Sequence, residues 1–184
     1  MEKASAMFKT AGPVSRGLAL AILLGVAALP ARVAAAPVPA PVPAAVFPFE
    51  MEDTGPVGVQ PADQARLHRL DAQLVQTLTA SGRYEPVDIE NVASQLAANS
   101  LHDCGSCGPE LARAVGARVS VNGWVQKVSN LILNINLVVR DAATGKVLRA
   151  GSVDIRGNTD ESWTRGLAYL LKNRILNGQE ASAR

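Results

Sequence analysis

The chain has 184 residues, with 18 basic and 16 acidic side chains, two histidines and two cysteines. This length suits a single domain with a sizeable hydrophobic core. The near balance of charge argues against a strongly basic surface for nucleic acid, and two cysteines exclude a four-cysteine zinc site.

The first 35 residues predict a secretory signal peptide, 1–35. Basic side chains precede an unbroken apolar run at 17–29, and Pro30 and small residues follow that run. The run is shorter than the roughly 20 residues that a membrane-spanning helix needs. We therefore expect cleavage after Ala35 and export to the periplasm by the general secretory route, with no stable membrane span afterwards. An uncleaved membrane anchor is the alternative.

Cleavage would leave the mature protein close to neutral. The leader carries four of the 18 basic and one of the 16 acidic side chains, which leaves 14 and 15. A basic patch would therefore depend mostly on the discarded peptide, and we expect no nucleic acid partner.

Residues 36–45, APVPAPVPAA, predict a Pro/Ala-rich linker, because proline favours extended polyproline II backbone. A single domain is expected at 46–178, followed by a disordered tail at 179–184. Within the domain, apolar periodicity and turn residues predict strands and helices. The expected strands are 46–53, 83–89, 118–128, 131–140 and 147–157. The expected helices are 62–82, 91–99, 109–116 and 158–177.

The predicted order is β-α-β-α-α-β-β-β-α. It favours an α/β (α+β) fold, a single two-layer or three-layer domain whose mixed sheet ends in an antiparallel meander.

Several stretches carry a resemblance to known proteins. AVFPFEMED, LTASGRYEPVDI, LARAVGARVSVNGWV and LNINLVVRDAATGKVL resemble the α/β domain of the TolB N-terminal region and of the curli-secretion lipoprotein CsgG, over about 44–157. DCGSCG, GWVQKVSNLILNINLVVRDAATG and DIRGNTDESWTRG resemble a family of secreted bacterial proteins of unknown function. That resemblance implies a periplasmic location and an association with quinoprotein alcohol oxidation. The chain lacks the lipidated cysteine and membrane-spanning hairpins of CsgG, so no pore formation is implied.

Cys104 and Cys107 are the two cysteines of the chain. Haem attachment needs a histidine where Gly108 stands, and a zinc site would have only His102 and the distant His68 to add. An oxidising compartment favours a structural disulfide. A redox-active pair is the alternative, because a helix that begins near the second cysteine lowers a thiol pKa. We expect a disulfide, no metal and no cofactor.

Alternation in the strands 118–128, 131–140 and 147–157 predicts two different sheet faces. Burial of the apolar side fixes the register, since a slip of one residue would exchange the faces. The predicted apolar side comprises Val121, Val125, Leu133, Ile135, Leu137 and Val139. The predicted polar side comprises Trp124, Gln126, Asn134, Asn136, Ser152 and Asp154. This polar side is either a solvated surface or a docking surface for a protein partner, with an exposed tryptophan as its anchor.

No residue set predicts catalysis. His68 is interpreted as a solvated helix residue, and His102 with Asp103 lies too close to Cys104 in sequence to imply a nucleophilic site. Asn158 with Glu161 is interpreted as a helix cap. The sequence therefore predicts a non-catalytic periplasmic protein-binding or assembly module. The alternative is a thiol–disulfide or electron-transfer accessory protein of periplasmic quinoprotein alcohol oxidation. Neither the partner nor the oligomeric state follows from the sequence.

Overall fold

Strands and helices follow one another over residues 39–177, the part of the chain that the computed structural model describes. The strands are β1 (Val42–Val46), β2 (Glu50–Asp53), β3 (Tyr84–Pro86), β4 (Val119–Lys127), β5 (Ile132–Asp141) and β6 (Val147–Arg156). The helices are α1 (Pro61–Ala80), α2 (Ala93–Ala98), α3 (Cys107–Ala114) and α4 (Asp160–Leu170), which a π-helical turn (Leu171–Ile175) extends. The predicted signal peptide, 1–35, and the predicted tail, 179–184, lie outside the described residues.

The strands form one mixed sheet in the order β3-β1-β4-β5-β6, and β2 also pairs with β4. The pairings of β1 with β3 and β4, and of β2 with β4, are parallel. The pairings of β4 with β5 and of β5 with β6 are antiparallel. The expected mixed sheet that ends in an antiparallel meander is therefore confirmed.

The first strand departs from the sequence prediction in two ways. Strand β1 begins at Val42, inside the segment 36–45 that we predicted to be a linker. The predicted strand 46–53 is interrupted at 47–49, so that β1 and β2 pair separately with β4. Pro48 lies in this interruption, where its missing N–H costs no ladder hydrogen bond. The phenylalanines on either side of it are buried in different cores.

Helices α1 and α4 cover one face of the sheet and enclose the main core. The leucines of α1 recur every three or four residues and are at most 5% exposed; they are Leu67, Leu70, Leu74 and Leu78. Val75, which we had expected on the same stripe, is 41% exposed. From α4 the core receives Trp163, Leu167 and Leu170.

A second, smaller core lies on the opposite face, around β1. Helix α3 contributes Leu111 and Ala112, and the connection before it contributes Val92 and Leu101. These elements cover β1 and the beginning of β4, where Gly108 packs against Asn122. The same face over the rest of β4, β5 and β6 carries half-buried and exposed side chains.

Gly123 allows the junction of β1 and β2 to pack closely on β4. A Cβ atom at this position would collide with the ring of Phe49. We therefore expect Gly123→Ala to lower the free energy of unfolding by about 1–3 kcal/mol, as overpacking does. In Gly105→Ala the added carbon would meet no heavy atom within 4 Å, and we expect a change of less than about 0.5 kcal/mol. Urea unfolding of both variants tests this; equal losses would contradict it.

Candidate functional site

The register of the sheet brings the six predicted polar residues to one face. Two rows cross the strands: Trp124 opposite Asn136 and Ser152, and Gln126 opposite Asn134 and Asp154. The predicted apolar side chains lie on the other face and are at most 1% exposed. We call the surface formed by the two rows the polar face.

Hydrogen bonds join only part of the polar face. The Asn134 amide donates to Asp154 Oδ1 at 2.7 Å and accepts from Ser152 Oγ at 2.8 Å. Within residues 39–177 the side chains of Gln126 and Asn136 make no hydrogen bond and are half-buried. The sheet therefore fixes the backbone positions of these two amides, while their polar atoms have no hydrogen-bond partner in this part of the chain.

Strand β2 adds two acidic residues that the sequence analysis did not assign to this surface. Glu50 lies opposite Trp124 and Glu52 opposite Gln126. The alternation Glu50-Met51-Glu52 is the sequence signal for this face, but it identifies no partner strand. Without the pairing of β2 and β4, the two carboxylates could not be placed.

Glu50 anchors the segment that leads into α3. Its carboxylate accepts from the N–H groups of Leu101 at 2.7 Å and His102 at 2.9 Å. The His102 Nδ1 atom lies 3.0 Å from Glu50 Oε2. Three interactions with one side chain therefore fix the position of His102 beside the polar face.

His102 covers part of Trp124. The two ring centroids are 5.8 Å apart with an interplanar angle of 22°, a stacked arrangement, and His102 Nε2 lies 3.3 Å from Asp103 Oδ1. Trp124 is consequently half-buried, not the freely exposed anchor that we expected. No local sequence pattern indicates this contact, because the two residues lie 22 positions apart.

Cys104 and Cys107 form a disulfide with a Cα–Cα distance of 5.5 Å. Cys107 is the first residue of α3, two positions earlier than the predicted helix start, and its N–H donates to Cys104 Sγ at 3.2 Å. Both cysteines are partly exposed. Over residues 39–177 no cluster of three or more histidine, cysteine or acidic side chains could hold a metal ion.

A buried charge cluster lies on the opposite side of the sheet, where β4 ends. Lys127 is 1% exposed, and its Nζ lies 2.7 Å from Asp63 Oδ2 and 3.4 Å from Asp53 Oδ2. Asp63 also accepts from Arg66 at 3.0 Å and from the Asn158 amide at 2.7 Å. The alternation of β4 would place an apolar residue at 127, so the strand pattern does not predict this cluster.

The ionised forms of this pair are favoured. Burial alone would raise the pKa of Asp63, but hydrogen bonds from Lys127, Asn158 and the Gln60 N–H, together with the charge of Lys127, lower it to about 2. Burial likewise opposes the charge of Lys127, yet Asp63 and Asp53 raise its pKa above the ordinary value. The cluster is therefore a salt bridge at neutral pH.

Asn158 belongs to this cluster and does not cap α4. Its side chain accepts from Trp163 Nε1 at 2.9 Å and donates to Asp63. The N-cap is Thr159, whose Oγ1 accepts from the Ser162 N–H at 3.2 Å. The predicted cap was thus one residue too early, and Ser162 takes the place expected for Glu161.

An open cleft of about 420 Å³ lies beside the charge cluster, between the starts of α1 and α4. Asp63, Arg66 and Asn158 line it, and each is engaged in the hydrogen bonds just described. Gln126, Asn136 and Glu52 make no side-chain hydrogen bond within the described residues, so the polar face is the better candidate for a functional surface. No helix within residues 39–177 has the length and hydropathy to cross a membrane.

Fold and site together define an α/β domain with one covered and one partly open sheet face. The chain belongs to the family DUF3280, described as "Protein of unknown function (DUF2380)", whose model matches residues 42–175. The expected membership of a family of unknown function is confirmed. No curated protein matches the chain significantly.

Solved structures with a similar fold come from bacterial proteins. Lipoprotein GNA1162 from Neisseria meningitidis has a TM-score of 0.50 at 19% identity, over 75% of this chain and 99% of that chain. The LpoB C-terminal domain from Salmonella enterica has a TM-score of 0.48 at 18% identity, over 65% and 85%. TolB from Acinetobacter baumannii has a TM-score of 0.40 at 16% identity, over 73% and 29%. The likeness to GNA1162 supports the fold, and the resemblance to CsgG stays a prediction.

Proposed function

We propose that this domain is a non-catalytic protein-binding or assembly module of the bacterial periplasm, and that it holds a protein partner on the polar face. The observation that carries the proposal is that helices cover one face of the sheet completely and the other face only in part. One face is sealed by α1 and α4, whereas the other presents half-buried polar side chains around Trp124.

The free groups of the polar face define what a partner would have to offer. Gln126 and Asn136 each have an amide that donates and accepts, and Glu52 adds a carboxylate with no hydrogen bond or ion pair inside the described part of the chain. A partner with backbone or basic side-chain donors would satisfy these groups. Trp124 would supply the apolar contact, since tryptophan is enriched at binding hot spots.

A periplasmic location is part of the proposal. It depends on the basic leader, the apolar run at 17–29 and the small residues that follow. The disulfide agrees with it, because a disulfide persists in an oxidising compartment.

The partner should be lost when the polar face is changed. We expect Trp124→Ala and, separately, Glu52→Lys to weaken capture of a periplasmic protein at least about tenfold, the loss typical of a hot-spot contact. The matched controls are Tyr169→Ala and Glu161→Lys, because both positions are exposed on α4 over the other face. Affinity capture from a periplasmic extract with quantitative mass spectrometry measures the difference.

Two outcomes would contradict this proposal. A protein captured equally by all five forms would bind elsewhere on the domain. Loss of folding in Trp124→Ala, seen as a lower melting temperature, would make Trp124 a structural residue; Glu52→Lys then tests the face by itself, because Glu52 makes no side-chain hydrogen bond in residues 39–177.

A thiol–disulfide accessory role is the second candidate, because Cys104 and Cys107 are partly exposed at the beginning of α3. The variant Cys104→Ser/Cys107→Ser separates the two candidates. A binding module should still bind its partner without the sulfurs. A thiol–disulfide protein should lose its thiol–disulfide exchange activity at an unchanged melting temperature.

A further inference from the structure

The segment 99–106 partly covers the polar face and is attached to the domain at few points. Leu101 is buried in the smaller core. The Glu50 carboxylate accepts hydrogen bonds from two N–H groups of the segment, and His102 stacks on Trp124. Asp103, Gly105 and Ser106 are exposed. The position of His102 over Trp124 therefore depends on a short, largely solvated stretch.

The disulfide closes the far end of this segment. It joins Cys104, two residues after His102, to the first residue of α3. The Cys104 N–H donates to the Ser100 carbonyl at 3.1 Å, so the turn that carries His102 ends at the bridge itself. Beyond the bridge, Leu111 and Ala112 hold α3 in the core.

We propose that the Cys104–Cys107 disulfide is a redox-sensitive latch that keeps His102 over Trp124 and so limits the part of the polar face open to a partner. The partner-binding part of this inference rests on the proposed function. The effect of the bridge on the segment does not depend on it.

Opening of the latch is an ordinary thiol–disulfide exchange with an external dithiol. One thiolate of the reductant attacks one sulfur of the bridge and forms a mixed disulfide, which the second thiol of the reductant then resolves. The chain gains two electrons and two protons and ends with two thiols, and the reductant leaves as a disulfide. Both cysteines are partly exposed, which gives the reductant access.

The loop that the bridge closes determines how strongly the bridge disfavours opening of the segment. Restricting so short a loop disfavours the open segment by a factor on the order of 20 in the loop-entropy model. Reduction should therefore raise the population of the open segment by a similar factor. The sheet and α4 should stay closed when the segment opens, because their side chains pack in the other core.

Amide hydrogen exchange of the full mature chain, with and without dithiothreitol, tests the latch. We expect exchange at Leu101 and His102 to accelerate about 10–30-fold on reduction and to stay faster than exchange at Val125 in β4 and Leu170 in α4, which requires a larger opening of the domain. The variant Cys104→Ser/Cys107→Ser should show the fast exchange under both conditions. Acrylamide quenching of Trp124 should increase in parallel, and Trp163 is a buried reference at 1% exposure.

Unchanged exchange at Leu101 and His102 would overturn the inference, because Glu50 and the packing of Leu101 would then hold the segment without the bridge. Exchange at Leu101 and His102 that stays as slow as exchange at Val125 and Leu170 after reduction would also overturn it, because the segment would then open only together with the whole domain. Neither measurement involves a partner, so a failure here leaves the proposed binding function intact.

Discussion

Lys127→Met is expected to lower the free energy of unfolding by about 3–5 kcal/mol, because it removes the cation between two buried carboxylates and leaves Arg66 to pair with Asp63 alone. Lys127 lies within 2.7 Å of Asp63, which has no exposed surface, and within 3.4 Å of Asp53, whose side chain is 6% exposed. Methionine keeps most of the length and apolar volume of lysine. The loss therefore reports mainly the charge and its hydrogen bonds.

The same cluster predicts a pH dependence of stability with a definite sign. The pKa of Asp63 is lowered from an ordinary value of 3.8 to about 2 in the folded chain. A lowered pKa means that the folded state holds the ionised form, so the contribution, about 2 kcal/mol, is complete above about pH 4. It decreases as the pH falls and is lost below about pH 2.

Urea unfolding at pH 7 and pH 3 measures both effects. The matched control is Arg165→Met, because Arg165 pairs with Glu161 on the surface at 2.9 Å with both side chains more than 70% exposed. We expect that exposed pair to contribute less than about 0.5 kcal/mol. A Lys127→Met variant as stable as the control, or a wild type equally stable at both pH values, would contradict the assigned role of the cluster.

The two faces of the sheet could be predicted from the sequence because alternation over long strands has one solution. Strands β4 and β5 pair over nine residues, and a shift of one residue would bury Asn134 and Asn136 in place of leucine and isoleucine. Local periodicity therefore predicts the register, the apolar side and the six polar positions.

The partners of the polar face could not be predicted in the same way. Glu50 and His102 meet across 52 positions of sequence, and no local pattern encodes such a contact. The parallel pairing of β2 with β4 has no hairpin to indicate it, in contrast to the antiparallel pairs. Residues 42–45 of the predicted linker differ from the prediction for a related reason: proline suggests a tether locally, yet Val42 pairs with Tyr84 at the sheet edge.

Lys127 and Asn158 show a second limit of sequence reasoning. A lysine that ends an alternating strand suggests a solvent-exposed position, because lysine is almost never fully buried unless it is paired. Its partners, Asp53 and Asp63, belong to β2 and α1. Asn158 similarly has the composition of a helix cap, and only the assembled fold shows that it joins α1 to Trp163.

Trp163→Ala is expected to be similarly destabilising, with a loss of about 3–5 kcal/mol in the free energy of unfolding. Trp163 is the largest fully buried side chain of the described residues and is 1% exposed. Alanine would leave a cavity where α4 packs on the sheet. It would also remove the Nε1–H that donates to Asn158 at 2.9 Å.

Trp163→Phe separates these two contributions. Phenylalanine keeps much of the ring volume but cannot donate, so about 1–2 kcal/mol should be lost through the missing hydrogen bond to the Asn158 oxygen and the smaller ring. Arg66 still donates to that oxygen at 3.3 Å and limits the loss. Tyr169→Ala, on the same helix at 54% exposure, should change stability by less than about 0.5 kcal/mol. If alanine and phenylalanine cost the same in urea unfolding, the hydrogen bond to Asn158 would outweigh the cavity, and Trp163 would act through the charge cluster and not through the core.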